Sequence, residues 1–525
     1  MRKVMIHLAA IGLSVMTALA GASPAMGGEV RVESENIVLY GEVNETLAED
    51  FVRRMEIYRR MIFALAGQDN APPDAERLTI HAFRKGAVLR KFAGRDDIGG
   101  VYTDSQEGPI FLTPVMKGRI SGAQSNKIAL HEYSHHVLHG LVSDAFPRWY
   151  DEGFAEYLST LEIEDDRISI GSPNADSARH YSHAMGWLDP RIVLKSVHRY
   201  PRFDGSRRTR SVARNQFYAQ SWLYVHMLQS TPELGRRLPE YLAALKRGVP
   251  PIRAFEEGFG LSVDEFHAKA DAYWKNNAFE VVAFEPQGDF MNVDVSVTPI
   301  SAAELNRAQV SAQMAFLNDE NRKSLAKRTA KAAKDFPNDA TVAAARGAIL
   351  ISQERYAEAV EAAQAALKLA PDDVRVHRSL ADARYHLLQN GGANADRHGE
   401  EARTFSASAE FDAMVSGFER VLAELPKDET AVTHLVSAYA MSDMTITPLV
   451  RRTAATLEDE IMKGSLAHAL DLAAILHKDG RTNRACRYFD YARISLSEES
   501  PDWLGAQTRY VEGKLGPACK ADSGG

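Results

Sequence analysis

Cysteine is scarce in this chain: of 525 residues only Cys486 and Cys519 carry a thiol, and both lie near the C-terminus. So little cysteine excludes a cysteine-built metal centre. In an oxidising compartment the two can pair; the other reading is a pair of buried or free thiols, and geometry decides between them. Long apolar runs are as scarce, the stretch from Val4 to Ala20 being the sole candidate, so no later segment is expected to cross a membrane. Charge of one sign is lacking too. Lys and Arg total 62 against 70 Asp and Glu, a net charge of -8, and nothing global points to nucleic acid. With 45% hydrophobic and 25% charged residues, the composition is that of an ordinary globular protein, and the length implies two to four domains.

The amino terminus has its own logic. Met1-Arg2-Lys3 precedes the apolar run, and the small-residue stretches Ala20-Gly21-Ala22 and Ala25-Met26-Gly27 offer cleavage sites. This pattern predicts a secretory signal peptide over residues 1–27 and a periplasmic or secreted protein with no stable membrane span after cleavage. An uncleaved anchor is the competing reading, for which the run is marginally short.

The strongest chemical signal is Leu130-His131-Glu132-Tyr133-Ser134-His135-His136. Residues four apart on an α-helix lie about 40° apart around its axis, so His131 and His135 project their imidazoles from one face toward a shared cation. Glu132 then flanks the open position, where a carboxylate can take a proton from a metal-activated water. His135 and His139 are also four apart, but His136 follows the first of them where an acid would be needed. Gly140 reads as the end of this helix. The plain alternative is a solvated surface helix.

Downstream, Pro147-Arg148-Trp149-Tyr150-Asp151-Glu152-Gly153-Phe154-Ala155-Glu156 starts with proline and runs into a helical apolar pattern. A zinc with an open position needs a third donor, and Glu152 is an anionic candidate. Here the sequence resembles the gluzincin metallopeptidases, in which a His-Glu-x-x-His helix is followed by a Trp-x-x-Glu-Gly-x-Ala-like segment; Trp149, Glu152, Gly153 and Ala155 match it in order. The resemblance implies Zn2+ held by His131, His135 and Glu152, with Glu132 as general base and acid and Glu156 where an acid often bonds a zinc-bound histidine. Asp151 reads as pointing away around the helix.

Before this motif, short β-rich runs at Asn36–Leu39, Arg77–Phe83, Gly99–Tyr102 and Pro109–Thr113, with a helical pattern over Glu45–Ala66, predict a small mixed sheet. Tyr102 and the segment around Ile110 are candidates for an edge strand beside a cleft. From Ser121 to Asn276 helices dominate, including Phe217–Gln229 and one opened by a Ser262/Glu265 capping box. The order of parts over roughly residues 30–276 resembles a bacterial peptidase-MA-like gluzincin domain. On that resemblance Tyr218 is the choice for stabilising the oxyanion, with His226, Tyr181 and His183 as competitors and core packing as the plain alternative. The Gly-x-Met-Glu-Asn segment of the aminopeptidase branch is absent, which argues against an aminopeptidase. Five arginines, Arg202, Arg207, Arg208, Arg210 and Arg214, read as an exposed loop or an anion-binding rim.

Residues 277–300 read as a connection with two strand-like stretches. Beyond it, Pro337 and Pro371 recur 34 residues apart, each followed by Asn-Asp or Asp-Asp, with Gly347, Ala359 and Ala366 at small-residue positions between them. This spacing resembles tetratricopeptide repeats; a second unit ends at Phe418, Val421 and Pro426, and a degenerate third begins near Leu435 and Tyr439. The expected whole is therefore α+β: a signal peptide at 1–27, a gluzincin-like zinc peptidase domain at 28–276, a connector at 277–300 and an all-α repeat solenoid at 301–525. Its expected partners are a protein or peptide substrate and a protein docked in the repeat groove. The competing class is a non-catalytic envelope scaffold in which the repeats do the binding and the zinc fold is degenerate.

Overall fold

The computed structural model describes residues 28–65, 68, 73–74, 77–95, 100–105, 108–114, 124–141, 146–164, 167–173, 186–197, 201, 203, 205–247, 249–277, 279–391, 402–426, 428–461, 466–496 and 501–522. The proposed signal peptide, Tyr181, His183 and Arg202 lie outside them. The chain divides into two compact units, one reaching Leu305 and the other running from Asn306 onward together with Phe92–Gly94.

The first unit opens with β1 (Glu29–Glu33) and β2 (Ile37–Glu42), followed by α1 (Glu45–Leu65), β3 (Leu78–Phe83), α2 (Gly86–Ala93), β4 (Val101–Ser105) and β5 (Gly108–Pro114). Two helices carry the histidine motif and its downstream partner, α3 (Gln124–Leu141) and α4 (Arg148–Leu158). Then come β6 (Glu162–Glu164), β7 (Arg167–Ile170), α5 (Pro190–Leu194), α6 (Arg207–Ser230), α7 (Pro232–Gly235), α8 (Leu238–Lys246), α9 (Pro251–Phe259), α10 (Val263–Lys275), β8 (Val282–Phe284) and β9 (Ser296–Pro299).

Six strands form one mixed sheet in the order β4-β5-β3-β2-β1-β9, in which β2, β3 and β5 run parallel and the outer strands antiparallel. The three parallel strands are nearly all apolar because helices cover them; α1 buries Phe51, Met55, Tyr58 and Ile62 in the core they share. A buried carboxylate pins that helix: Glu56 accepts hydrogen bonds from the backbone N–H and side-chain amide of Asn36, both at 2.9 Å. Tyr58 reaches the motif helix itself, donating to the Leu130 carbonyl at 3.1 Å.

The connector expected at 277–300 is corrected by the sheets. β8 pairs with β7 and β9 with β1, so this segment completes two sheets of the first unit rather than spanning between units. Backbone pairing partners far apart in sequence leave no local trace, which is why the stretch reads as a linker. The edge of the large sheet is β4, with Tyr102, whereas β5, with Ile110, is interior and buried throughout. Arg207, Arg208, Arg210 and Arg214 lie in a helix rather than a loop: Ser206 caps the Thr209 N–H, and helix α6 begins at Arg207, ten residues ahead of Phe217. Gly140 lies inside α3, which continues to Leu141. The Ser262/Glu265 capping box is present at the start of α10.

Among the described residues the regular elements of the second unit are helices: α11 (Ala302–Ala315, which begins in the first unit), α12 (Arg322–Asp335), α13 (Ala340–Ser352), α14 (Tyr356–Leu369), α15 (Val374–Gly391), α16 (Ala409–Glu424), α17 (Glu429–Ala440), α18 (Pro448–Ile461), α19 (Leu466–Lys478), α20 (Thr482–Ser495) and α21 (Asp502–Asp522). From α12 on, most helices pack on those one and two places along the chain. α13 and α15 start at the same 34-residue interval as Pro337 and Pro371, each proline sitting in the turn before a helix. At Gly417 a Cβ would fall 2.9 Å from the Ala381 Cβ, so glycine sets the closeness of α15 and α16. Cys486 and Cys519 form a disulfide between α20 and α21. Among the described residues, no helix is long and apolar enough to cross a membrane.

Candidate metal centre

Three side chains converge where α3 crosses α4. Nε2 of His131 lies 3.0 Å from Oε2 of Glu152 and 3.3 Å from Nε2 of His135, and Nε2 of His135 is 3.5 Å from the same Glu152 oxygen. A metal bound tetrahedrally at about 2.0–2.1 Å holds its donors about 3.4 Å apart. The triangle therefore fits one ion, and its donor chemistry, two imidazoles and one carboxylate, suits a first-row divalent metal.

The crossing that brings them together depends on a glycine. A Cβ on Gly153 would stand 2.3 Å from the Ser221 carbonyl oxygen of α6, so only glycine lets α4 lie this close to the long helix. Trp149 anchors the same helix from its buried face, donating from Nε1 to the Tyr241 hydroxyl at 3.1 Å. With α4 fixed at both points, Glu152 is 1% exposed and faces α3.

Each imidazole has a carboxylate behind it. Asp151 Oδ1 stands 3.1 Å from His135 Nδ1, and Glu156 Oε1 stands 3.3 Å from His131 Nδ1. Such partners orient a ring and leave its other nitrogen free for a metal. Glu156 was the expected one. Asp151 was not: its placement around α4 corrects the reading that it points away, because α3 crosses at an angle that lets one histidine touch adjacent residues of α4. The acids are themselves held, Glu156 by Lys127 Nζ at 2.5 Å and Asp151 by the Arg148 guanidinium at 3.3 Å.

The electrostatics follow from this crowding. Burial opposes the charge on Glu152, but the two histidines outweigh it and hold its carboxyl well below the usual carboxylate range. Burial likewise opposes the charge on His131, and Glu152 and Glu156 push it the other way, up to about 9. Glu132 is the exception: burial dominates and raises its carboxyl, the nearby histidines only partly offsetting it. A raised carboxyl is suited to receiving a proton. A backbone hydrogen bond from Tyr102 ties Glu132 to the edge strand β4.

The Tyr102 hydroxyl also meets His136 Nδ1 at 2.9 Å, and His136 Nε2 lies 3.4 Å from Asp74, which pairs with the buried Arg59. This chain locks β4 against α3, so the edge strand and the histidine motif keep a fixed spacing. Tyr218 stands edge-on to His131 with ring centroids 6.1 Å apart. His226 is occupied in the core, with Nε2 on the Gly171 carbonyl and Nδ1 on the Tyr273 hydroxyl, both at 2.8 Å, so it has no free face for a substrate. Arg208, Arg210 and Arg214 are exposed on the first turns of α6.

No protein-family model matches the chain. A stretch of 148 residues is 24% identical to the uncharacterized protein YhcO of Bacillus subtilis (strain 168), covering 26% of this chain and 45% of that protein. The chain thus spans less than half the length of this relative.

Proposed function

We propose that this protein is an exported zinc-dependent peptidase of the gluzincin type, with tetratricopeptide-like repeats that recruit its substrate or a partner. One observation carries the reading: two histidines of α3 and a glutamate of α4 converge at metal spacing, and the residue after His131 is an acid with a raised carboxyl. Zinc, when bound by His131, His135 and Glu152, supplies a Lewis acid and lowers the pKa of a water to about 7.

The chain's own residues do the rest. Glu132 takes the proton of the attacking water and returns it to the departing amine nitrogen. Asp151 and Glu156 keep the two imidazoles in place, and Tyr218, whose ring stands edge-on to His131, supplies the hydroxyl for the developing oxyanion. β4 stands at one end of the large sheet and is tied to Glu132 through Tyr102, and an extended peptide added there as one more strand would run past the acid. The Cys486–Cys519 disulfide supports an oxidising compartment and therefore export.

Glu132→Gln tests the reading. The expected result is a fall in peptide hydrolysis of about 10²–10⁴-fold with zinc content unchanged, since the variant removes the proton acceptor and leaves the donors. Cleavage at the parental rate would overturn the mechanism. Stoichiometric zinc in the parent protein without turnover of any peptide library would favour a scaffold.

A further inference from the structure

A second cluster of imidazole and carboxylate groups stands in the helical unit, remote in sequence from the first. Asp382 and His386 lie one turn apart on α15, and His434 comes from α17. One oxygen serves both rings: Asp382 Oδ1 is 3.0 Å from His434 Nδ1 and 3.5 Å from His386 Nε2. The three donor atoms all fall within 4.8 Å of one another.

Asp382 meets two imidazoles at once, where a histidine–aspartate pair needs only one. Asp382 Oδ1 and His434 Nδ1 are both buried and approach to 3.0 Å without the ring N–H lining up on the oxygen, the relation in which His131 Nδ1 also stands to Glu156 at the first centre. An ion placed between them would satisfy both atoms together with the second imidazole. The rings are also held in place. Tyr385 stacks on His434 with centroids 3.9 Å apart and planes 1° apart, and Tyr385 is itself tied to Ser437 at 3.2 Å; Tyr356 lies parallel to His386 at 6.2 Å. Orientation of this kind serves a ligand more than a solvated side chain.

We infer that Asp382, His386 and His434 form a second divalent-metal site, of the zinc type, which clamps α15 to α17. Two imidazoles and a carboxylate suit Zn2+, and each of the three side chains is 18–28% exposed. The residue after His386 is Leu387, so no acid follows it as Glu132 follows His131, and the site's role is to fix helices.

The test uses the full chain, stripped with a chelator, re-equilibrated with Zn2+ alone and analysed for metal per chain. Two ions are expected in the parent, one in the His131→Ala/His135→Ala variant, and none when His434→Gln is added to that variant. Because His434 is stacked in the helix pair and its loss could unfold the unit, His386→Gln is run in parallel, with circular dichroism to establish folding. In the His131→Ala/His135→Ala background, Co2+ should give a visible tetrahedral spectrum that His386→Gln abolishes, and Zn2+ should raise the melting temperature. A folded His131→Ala/His135→Ala protein that binds no metal would overturn the second site. So would metal retained by the His131→Ala/His135→Ala protein after both His386→Gln and His434→Gln are added. One ion lost with His434→Gln but kept with His131→Ala/His135→Ala would leave this site standing and sink the first.

Discussion

The two imidazole–carboxylate clusters are made from the same donors but sit in different kinds of protein. His131, His135 and Glu152 lie within a unit whose apolar residues, from Val30 to Val293, form one continuous core, with carboxylates behind each ring and an acid at position 132. Asp382, His386 and His434 lie in a unit whose buried residues fall into separate clusters, and aromatic rings rather than acids stand behind the histidines. The lesson is that donor identity selects a metal, while the neighbours of the donors decide what the metal can do. A single core transmits a disturbance throughout; a helix array contains it near the helices affected.

The largest expected effect that sharpens this contrast is reduction of Cys486–Cys519. The bridge closes a loop of sequence separation 33, so its loss should cost the helical unit about 3–4 kcal/mol. Calorimetry with and without reductant should show one transition falling and the other unmoved; equal shifts in both would mean that the units do not melt separately. Next come paired glycines. Gly153→Ala should cost about 1–3 kcal/mol, because backbone of α6 blocks the new methyl group, and should weaken metal binding with it. Gly513→Ala in α21 meets nothing within 4 Å and should raise stability by up to about 1 kcal/mol, as alanine does in a helix. Chemical denaturation of both variants checks the pair.

Comparable with Gly153→Ala is Asp151→Asn, which removes the charge behind His135 and should loosen the metal about 10–100-fold, read by competition with a chromogenic chelator. Unchanged affinity would show that Asp151 serves only Arg148. Taken over its whole range, a pH effect confined to the helical unit is comparable to that of the disulfide. Asp471 is buried with Gln507 Nε2 donating to it at 2.7 Å, and burial pushes its carboxyl up to about 7. The folded unit then holds a proton that the unfolded chain has released, so this contribution is complete below about pH 4 and is lost as pH rises to about 7, at no more than about 1.4 kcal/mol per pH unit. Denaturation midpoints of Asp471→Asn across that range should lack the slope; a slope identical to the parent's would assign it elsewhere.

Much of the first site was legible without coordinates. The i,i+4 histidines, the acid between them and the glutamate on the next helix are local patterns, fixed by the pitch of a helix and by short spacing, and the structure brings those four residues to the crossing of α3 and α4. Glu156 was legible for the same reason, being one turn from Glu152. Asp151 was not, since helical spacing turns it away from Glu152 and only the crossing of α3 returns it to His135. The helical array was visible as a 34-residue interval, yet Asp382 and His386, an unremarked i,i+4 pair, gave no hint that His434 would join them.

What the sequence alone determined is the chemistry available: two helical donor pairs, an acid beside one of them, strands and helices whose periodicity names them, and two cysteines able to bridge. Only the tertiary structure decided the pairings that have no local period. It set β8 and β9 into sheets begun more than a hundred residues earlier, made β4 the edge beside Glu132, closed Cys486 on Cys519, and put His434 on the oxygen it shares with His386. The physical reason is that periodicity records which face of an element is buried, whereas which two faces meet depends on packing of the whole chain.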